Sequence, residues 1–295
     1  MKKQLLYQNK KIFYRITGNG KPVMLIHGFG EEGDVWNNQI RPPQTPHQEG
    51  LPSAQGQLTQ HSFLSDKFRL IIPDLPGSGQ SEMIDDMSME GMAEVIKAII
   101  ETEIENPLAG GRGAVLIGHS MGGYITLALV EKYPQIISAF GLFHSSAFAD
   151  TEEKIATRRK GIEFIEQHGA FEFLKTATPN LFSPITKDEK PELIDKQVAR
   201  LNNFSPTALV SYYKAMIDRP DRTGILRQAT VPVLFIMGKY DVAVPVEDCL
   251  KQCHLPEKSY IHILQQSGHM GMLEEPEICH RFLEEFLQEI QAGKL

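Results

Sequence analysis

Three residues that could act as nucleophile, base and acid lie far apart in the chain. Ser120 lies in the segment GHSMG (118–122), His269 lies in SGHMG (267–271), and Asp241 lies between them. A serine hydroxyl is a poor nucleophile near neutral pH unless a base accepts its proton. An imidazole that serves as this base needs an acid to fix its tautomer and to stabilise its charged form. These residue types therefore indicate nucleophilic catalysis by a serine.

The segment around Ser120 has the pattern G-x-S-x-G in the structural context that this pattern requires. A continuous apolar stretch, residues 114–117, predicts a strand before it, and a helix is expected to begin at about Met121. The two glycines allow a sharp turn from strand to helix, because they have no Cβ atom. Such a turn lifts the serine hydroxyl from the C-terminal edge of the sheet and points the helix N-terminus at the site.

Of the ten histidines, His269 has the position best suited to a base for Ser120. It follows the last predicted strand, residues 260–264, whose end should face the same edge of the sheet as Ser120. His27 ends an earlier predicted strand, but it directly precedes a glycine, and we interpret it as a residue that shapes the loop. His119 is adjacent to Ser120, and its side chain is expected to point away from the serine.

Asp241 is the acid expected to orient His269. It follows the predicted strand 231–236 and leaves room for a helix and a strand before His269. The alternatives are Asp248 and Asp150. The chain order serine, aspartate, histidine is the one associated with a serine in a G-x-S-x-G turn, and it differs from the orders of other serine hydrolases.

The negative charge that develops on the substrate oxygen must be met by donors already in place. One donor should be the backbone N–H of Met121, directly after the nucleophile, and the second should come from the loop after the predicted strand 22–26. We expect the N–H of Phe29 there, because Gly28 and Gly30 permit a tight path for the backbone. The side chains of Phe29 and Met121 then remain available to line a pocket.

Apolar strands and amphipathic helices alternate along the chain, which predicts a parallel sheet covered on both sides. A hairpin is expected first, with strands at 3–7 and 12–17. Further strands are predicted at 22–26, 68–72, 114–117, 136–143, 231–236 and 260–264. Helices are predicted at about 92–104 and 124–133 and in a C-terminal stretch that begins at Pro276.

Two stretches interrupt this alternation and define the expected domain organisation. The first, 41–61, is rich in proline and polar residues and is interpreted as an insertion loop at the surface. The second, 146–228, carries helical signals only and is interpreted as a helical cap; Asp150 with Glu153 predicts the start of its first helix. The core then comprises residues 1–145 and 229–295.

The composition excludes several classes of function. The 295 residues are 41% hydrophobic and 23% charged, as in a globular protein with a full core, and the net charge of -7 disfavours nucleic acid as a partner. The apolar runs are too short to span a bilayer, and the first residues do not resemble a secretory signal. Cys249, Cys253 and Cys279 give neither a disulfide framework nor a zinc spacing. We therefore expect a cytoplasmic protein without a membrane partner.

These residues together resemble those of the α/β-hydrolase superfamily. The resemblance rests on His27-Gly28, the DLPGSGQS loop (74–81), the GHSMG turn, Asp241 and Gly268-His269, and it covers nearly the whole chain. It implies an α/β fold with a mostly parallel eight-stranded sheet flanked by helices and an inserted helical cap. It also implies catalysis without a cofactor or a metal ion.

Within that superfamily the sequence is most similar to esterases and lactonases that act on small molecules. We therefore expect a serine hydrolase that cleaves a small-molecule carboxylic ester, thioester or lactone through an acyl-enzyme intermediate. The alternatives on the same three residues are hydrolysis of a carbon–carbon bond in a diketone and perhydrolase activity. A further alternative is a non-catalytic ligand receptor with the hydrolase fold.

The pocket for the acyl group is expected to be apolar. Its predicted lining comprises Phe29, Met121, Phe143, Tyr212, Met216 and Met270. The basic residues of the predicted cap are interpreted as a solvated charged face, with a site for an anionic substrate as the alternative. They are Arg158, Arg159, Arg219 and Arg222.

Overall fold

The computed structural model describes residues 1–40, 63–105 and 113–293, and these contain eight strands. The strands are β1 (Lys2–Tyr7), β2 (Lys10–Thr17), β3 (Lys21–Ile26), β4 (Phe68–Pro73), β5 (Ala114–His119), β6 (Ile137–Phe143), β7 (Val233–Gly238) and β8 (Ser259–Leu264). All eight form one sheet in the order β1-β2-β4-β3-β5-β6-β7-β8. Strands β3 to β8 are parallel, while β1 and β2 pair antiparallel at one edge. The expected mostly parallel eight-stranded sheet is thus confirmed.

The helices fill most of the remaining described chain. They are α1 (Asn37–Ile40), α2 (Leu64–Lys67), α3 (Met89–Glu103), α4 (Met121–Lys132), α5 (Glu152–His168), α6 (Ala170–Ala177), α7 (Pro184–Glu189), α8 (Pro191–Val198), α9 (Pro206–Asp218), α10 (Thr223–Gln228), α11 (Val246–Leu250), α12 (Gly271–Glu274) and α13 (Pro276–Ala292). Short 3-10 turns lie at Gly33–Trp36, Pro134–Ile136, Thr178–Leu181 and Leu201–Asn203.

Two apolar cores cover the two faces of the sheet. Successive residues of a strand point to opposite faces, and in β3 Met24 belongs to one core while Leu25 belongs to the other. The first core contains the apolar faces of α3 and α4, and the second contains α13 and the buried ring of Trp36. The sheet is therefore the middle layer, and its carboxyl edge is where ligands bind in open α/β sheets.

The segment between β6 and β7 contains α5 to α10 and, within the described chain, no strand. Its first helix ends directly before Gly169, whose φ of 89° suits a glycine. The predicted capping box is wrong: Thr151, not Asp150, caps α5, because the Thr151 hydroxyl accepts the N–H of Lys154. The predicted insertion loop, 41–61, lies outside the described residues.

Candidate active site

Ser120 lies at a strained turn between β5 and α4. Its φ is 49° and its ψ is -116°, a conformation that an L-residue adopts only when its surroundings enforce it. A Cβ atom at Gly118 would lie 2.3 Å from the carbonyl oxygen of Gly122, and one at Gly122 would lie 2.5 Å from that of Ile26. The close backbone approach therefore requires both glycines of the motif. Ser120 itself is partly exposed, whereas residues 113–119 and 121–130 are buried.

The turn is also fixed from the neighbouring strand. The N–H of Ser120 donates to the carbonyl oxygen of Phe143, the last residue of β6, at 2.9 Å. The hydroxyl of Ser145 donates to the carbonyl oxygen of Ser120 at 2.7 Å. The same carbonyl oxygen accepts the N–H of Gly123 in α4 at 2.9 Å. Both backbone polar groups of Ser120 are therefore paired, and these bonds hold the residue in place.

Asp241 and His269 contact each other where the loops after β7 and β8 meet. Asp241 Oδ2 lies 2.7 Å from His269 Nδ1. Asp241 Oδ1 accepts the N–H groups of Ala243 and Val244 at 2.9 and 2.8 Å. Burial opposes ionisation of Asp241, but the contacts with His269 and His144 outweigh it and lower its pKa. A carboxylate held by so many donors stays ionised and fixes the orientation of the ring.

Hydrogen bonding to this carboxylate determines the tautomer of His269. Because Nδ1 faces an oxygen acceptor, that nitrogen carries the proton and Nε2 is left with a lone pair. Burial disfavours the protonated ring, but the charge and hydrogen bond of Asp241, together with the charges of Glu31 and Glu274, outweigh burial and raise the pKa of His269 above its ordinary value of 6.5. The ring is therefore arranged to accept a proton at Nε2.

A second imidazole, which the sequence analysis did not single out, shares the same carboxylate oxygen. His144 Nδ1 lies 3.0 Å from Asp241 Oδ2, and the ring is fully buried. Burial lowers the pKa of His144 to about 4 despite the nearby carboxylate. One signal in the sequence could have found it: His144 directly follows a predicted strand, so it reaches the same edge of the sheet as His269.

The alternative acids and the alternative base lie in other contacts. Asp150 pairs with Arg158 and Arg219, and Asp248 pairs with Lys251. His27 is buried; its Nε2 accepts the N–H of Leu75 at 2.9 Å, and its Nδ1 lies 2.9 Å from the carbonyl oxygen of Gly28. Both nitrogens of that ring are thus engaged with backbone, which fits a role in shaping the loop after β3.

His119 connects the loop after β3 to the loop that carries His269. Its Nδ1 lies 2.9 Å from Glu31 Oε2, and its Nε2 lies 3.0 Å from the carbonyl oxygen of His269. Glu31 Oε2 also accepts the N–H of Gly28 at 2.6 Å. Burial opposes ionisation of Glu31, but His119 and the Gly28 N–H outweigh it and lower its pKa. No motif in the sequence marks Glu31, because its partners are 3 and 88 residues away.

Glu274 connects the helical segment to the loop that carries His269. One carboxylate oxygen, Oε1, accepts the N–H groups of Gly268 and Met270 at 2.8 and 3.2 Å. The other, Oε2, accepts the N–H of Ser183 at 2.8 Å and the hydroxyl of Thr186 at 2.7 Å. The buried carboxylate therefore joins the residues on both sides of His269 to the segment that contains Ser183 and Thr186.

The donors expected for an oxyanion lie in the loop after β3 and at the start of α4. A Cβ atom at Gly28 would lie 3.1 Å from Ser120 Cβ, so the loop passes directly beside the serine. Met121 is the first residue of α4, and N–H groups of a first helical turn have no acceptor within the helix. The Phe29 ring is not free: it stacks on Tyr213 at 4.4 Å and meets Phe173 and Tyr212 edge to face.

The six residues predicted to line the acyl pocket divide between the two cores. Met121, Tyr212 and Met216 are buried in the core that Phe29 also contacts. Phe143 and Met270 are buried in the other core, where the Phe143 ring lies 5.4 Å from that of Trp36. The Tyr212 hydroxyl donates to the carbonyl oxygen of Pro76 at 2.5 Å and lies 2.9 Å from Ser78 Oγ. Those contacts fix Tyr212 against the loop after β4.

The interpretation of the cap arginines as a solvated face is wrong for Arg219 and Arg222, which are 7% and 4% exposed. Asp150 accepts Arg158 Nε at 2.6 Å and Arg219 Nη2 at 2.9 Å, and the Arg219 guanidinium lies 3.8 Å from the centre of the Tyr124 ring. Arg222 pairs with Glu90 and Glu131. These guanidinium groups are paired with carboxylates of the protein itself, so the arginines stabilise the fold and do not form a solvated face.

A groove with a volume of about 340 Å³ opens beside the loop after β3. One wall is formed by residues 30–32, 34 and 35, and the other by residues 197 and 199–204.

Among the described residues, His144, Asp241 and His269 offer ligand atoms within 4.8 Å of one another that a metal ion could use. Both Nδ1 atoms point at one carboxylate oxygen, so a cation there must displace two hydrogen bonds.

Comparison with known proteins decides the family. A family model described as "Alpha/beta hydrolase family" matches residues 23–281. The chain belongs to this family. It is accordingly a hydrolase. In the described part of this hydrolase, no helix is both long and apolar enough to cross a membrane.

Similar proteins include enzymes of different specificity. The solved structure of a thermophilic esterase from Thermogutta terrifontis, with malate bound, matches with a TM-score of 0.82 and 26% identity over 98% of this chain and 99% of that one. A 2-hydroxy-6-oxononadienedioate/2-hydroxy-6-oxononatrienedioate hydrolase of Paraburkholderia phymatum is 24% identical, over 94% of this hydrolase and 91% of the relative. A pimeloyl-(acyl-carrier protein) methyl ester esterase of Methylococcus capsulatus is 23% identical, over 94% and 98%.

Proposed function

We propose that this protein is a serine hydrolase that cleaves a small-molecule carboxylic ester, thioester or lactone through an acyl-enzyme, with Ser120 as nucleophile, His269 as base and Asp241 as acid. One observation carries the proposal: a serine with a φ of 49° follows β5, at the sheet edge where the loops after β7 and β8 bring Asp241 Oδ2 within 2.7 Å of His269 Nδ1. A strained turn is retained where function requires it.

The chemistry proceeds in two halves. As Ser120 Oγ bonds to the carbonyl carbon, its proton moves to His269 Nε2; Nε2 then returns the proton to the leaving group as the bond to that group breaks. In the second half, a water molecule gives a proton to Nε2 while its oxygen bonds to the acyl carbon. The bond from that carbon to Ser120 Oγ then breaks, and Nε2 returns the proton to Oγ, so the free acid leaves and Ser120 is restored. Asp241 keeps Nδ1 protonated throughout and stabilises the charged ring, without becoming protonated itself.

The oxyanion is assigned to two backbone N–H groups, those of Phe29 and Met121. Met121 supplies the N–H after the nucleophile, at the positive end of the α4 dipole. Gly28, whose N–H is held by Glu31, fixes the loop before Phe29. Such donors stabilise developing charge without reorganisation, and each is worth roughly 10²–10³ in rate.

The acyl pocket is assigned to the side of the site where Phe29, Met121, Tyr212 and Met216 share one apolar core. Phe143 and Met270 lie in the other core and, in this proposal, support the site from behind. Residues 146–228 act as the cap: Tyr213 stacks on Phe29, and Ser183 binds the carboxylate of Glu274. An apolar acyl group of modest size fits this environment best.

Hydrolysis of a carbon–carbon bond in a diketone is the second candidate. It is favoured by the similarity to an enzyme whose name describes a dienedioate with 2-hydroxy and 6-oxo groups. Ester hydrolysis is favoured by the similarity to the Thermogutta esterase and the pimeloyl methyl ester esterase. The partner in either case is a small molecule, and the three free, buried cysteines support a cytoplasmic location.

The test is substrate profiling of the purified wild type and Ser120→Ala, with Ser138→Ala as the matched control. The Ser138 hydroxyl donates to the carbonyl oxygen of Gly113 at the amino end of the parallel strands, opposite to the end that carries Ser120. We expect wild type and Ser138→Ala to hydrolyse p-nitrophenyl acetate or butyrate and Ser120→Ala to lose this activity.

Faster turnover of a vinylogous diketone than of any ester would favour the second candidate. Binding of esters without turnover would instead indicate a receptor, and full activity of Ser120→Ala would reject the assignment.

A further inference from the structure

One buried imidazole at the site has no part in the acyl-transfer steps. His144 follows β6 with a φ of 49°, and its backbone N–H donates to the carbonyl oxygen of Ile236 at 2.7 Å. The surrounding backbone encloses the ring: a Cβ atom at Gly271 would lie 2.5 Å from His144 Nε2, and one at Gly238 would lie 2.9 Å from Cε1. His144 is therefore held in a single orientation.

The contacts of the ring fix its protonation state. Nδ1 faces Asp241 Oδ2 at 3.0 Å, so this nitrogen carries the proton. Nε2 is buried and, among the described residues, has no hydrogen-bond partner. A second proton there would be a buried charge without an acceptor, which burial strongly disfavours. His144 is thus a neutral donor directed at the catalytic acid.

We propose that His144 is a positioning residue: it donates a second hydrogen bond to the Asp241 oxygen that binds His269 and so limits how strongly Asp241 stabilises the protonated base. The inference rests on the proposed function, because it concerns the acid and base assigned there. Two donors on one carboxylate oxygen compete for the same electron density. The positive end of the His144 N–H dipole also lies beside the carboxylate oxygen whose negative charge stabilises the protonated ring of His269.

Other charged or titratable groups face this pair and set the background for its titration. They are Glu31 in the loop after β3, His119 at the end of β5, Cys249 on α11 and Glu274 on α12. The His119 ring lies 5.0 Å from that of His269 and 5.9 Å from that of His144. None of these groups changes when His144 is replaced, so the effect of His144 can be measured separately.

The test compares two kinds of substitution at position 144. His144→Leu removes the donor while filling similar volume, and His144→Gly removes it without strain at positive φ. His144→Asn is the rescue variant: its amide nitrogen can occupy the place of Nδ1, and asparagine tolerates positive φ. If His144→Leu does not fold, His144→Gly gives the same information, because it also lacks the donor.

The measurement is an NMR titration of the His269 ring in protein with isotope-labelled histidine, assigned with His269→Gln. We expect the midpoint of His269 to rise by roughly half a pH unit or more in His144→Leu and His144→Gly, and to stay near the wild-type value in His144→Asn. The acidic limb of kcat/KM should move in parallel. An unchanged midpoint in both Leu and Gly variants would overturn the proposal.

The outcome is distinguishable from failure of the proposed function. The titration needs no substrate, so a rise of the midpoint supports the role of His144 even if the wild type hydrolyses nothing. An unchanged midpoint in an enzyme that hydrolyses esters rejects the role of His144 alone. A fall of the midpoint would show that His144 strengthens the Asp241–His269 interaction, and it also contradicts the proposal.

Discussion

At the scale of single residues, the site is built from conformations and charges that cost free energy. Ser120 and His144 both have positive φ, and they follow adjacent strands, β5 and β6. Each such conformation costs on the order of 1–3 kcal/mol, and the surrounding structure must enforce it. The hydrogen bonds from Ser120 to Phe143 and from His144 to Ile236 provide that enforcement.

Replacement of the acid tests the assignment at residue level. Asp241→Asn retains the shape of the side chain but removes the charge and allows the wrong tautomer of His269. We expect kcat on p-nitrophenyl butyrate to fall by roughly 10⁴, the loss found when such an acid is replaced by its amide. Asp248→Asn is the matched control, because Asp248 pairs with Lys251 at 3.0 Å, and it should retain activity. Equal loss in both variants would contradict the assignment of Asp241.

The pH dependence of the wild type follows from the charge beside the base. The pKa of His269 is raised above 6.5, since Asp241, Glu31 and Glu274 together outweigh the effect of burial. His269 must be unprotonated to accept the serine proton, so kcat/KM should fall as the pH drops, with a midpoint above 6.5. Rates measured between about pH 5 and 9 check this. A midpoint well below 6.5 would mean that burial dominates.

The sequence predicted individual site residues where local spacing carries the signal, and missed those whose contacts are distant. Ser120 lies in a motif, and His269 follows a predicted strand. Glu31 and Glu274 gave no such signal, because each carboxylate binds groups from segments that fold together only in the tertiary structure. A charged residue in a loop looks exposed in sequence, although these two are 5% and 3% exposed.

At the scale of elements, close packing of the turn after β5 determines the position of Ser120, the proposed nucleophile. Gly118 touches the backbone of Gly122, and Gly123 faces Ser145, where a Cβ atom would lie 2.2 Å from the hydroxyl oxygen. The helix α4 can therefore begin directly against β3 and β6. This proximity brings the positive end of α4 to the edge of the sheet where Asp241 and His269 meet.

An added methyl group tests that packing. Gly118→Ala places a Cβ 2.3 Å from a backbone oxygen that cannot move without the helix. We expect a loss of about 2 kcal/mol or more in the free energy of unfolding, measured with urea, together with reduced kcat. The matched control is Gly224→Ala on α10, where nothing lies within 4 Å of the new atom and the helix should gain stability. An unaffected Gly118→Ala would show that the turn is loosely packed.

Helix boundaries depend on local contacts, and the sequence predicted them well only where one residue can supply the contact. Ser205 caps α9 through its hydroxyl, which accepts the N–H of Ala208, and Pro206 holds the first position of the helix. The start of α5 was misplaced by one residue, because Asp150 looks like a capping residue but is drawn into the interior by two arginines. A tertiary ion pair overrides a local preference in that case.

At the scale of the whole molecule, buried charges join the helical segment to the core. Asp150 binds Arg158 and Arg219, and its side chain has no exposed surface. The Arg219 guanidinium also lies over Tyr124 of α4, and Arg222 joins α3 and α4 through Glu90 and Glu131. The overall alternation of strands and helices was predictable from apolar periodicity, but the pairing of Arg219 and Arg222 was not, since their carboxylate partners lie 69 to 132 residues away.

Removal of one member of this network tests its contribution to stability. Asp150→Asn leaves the Arg219 charge buried without its carboxylate, and we expect the free energy of unfolding to fall by about 3 kcal/mol or more. Asp195→Asn, at an exposed position of α8, is the matched control and should change stability by less than about 0.5 kcal/mol. Urea unfolding followed by circular dichroism measures both. Equal stability of the two variants would contradict a structural role for the Asp150 pairs.

Covalent labelling of Ser120 tests the central assignment most directly. Purified wild type, Ser120→Ala and Ser138→Ala are treated with a fluorophosphonate, and the modified residue is located by peptide mass spectrometry. A fluorophosphonate reacts with a serine that an adjacent base has activated. We expect a single adduct on Ser120 in wild type and Ser138→Ala and none in Ser120→Ala. Labelling that persists in Ser120→Ala, or an unmodified Ser120 in the wild type, would contradict the account.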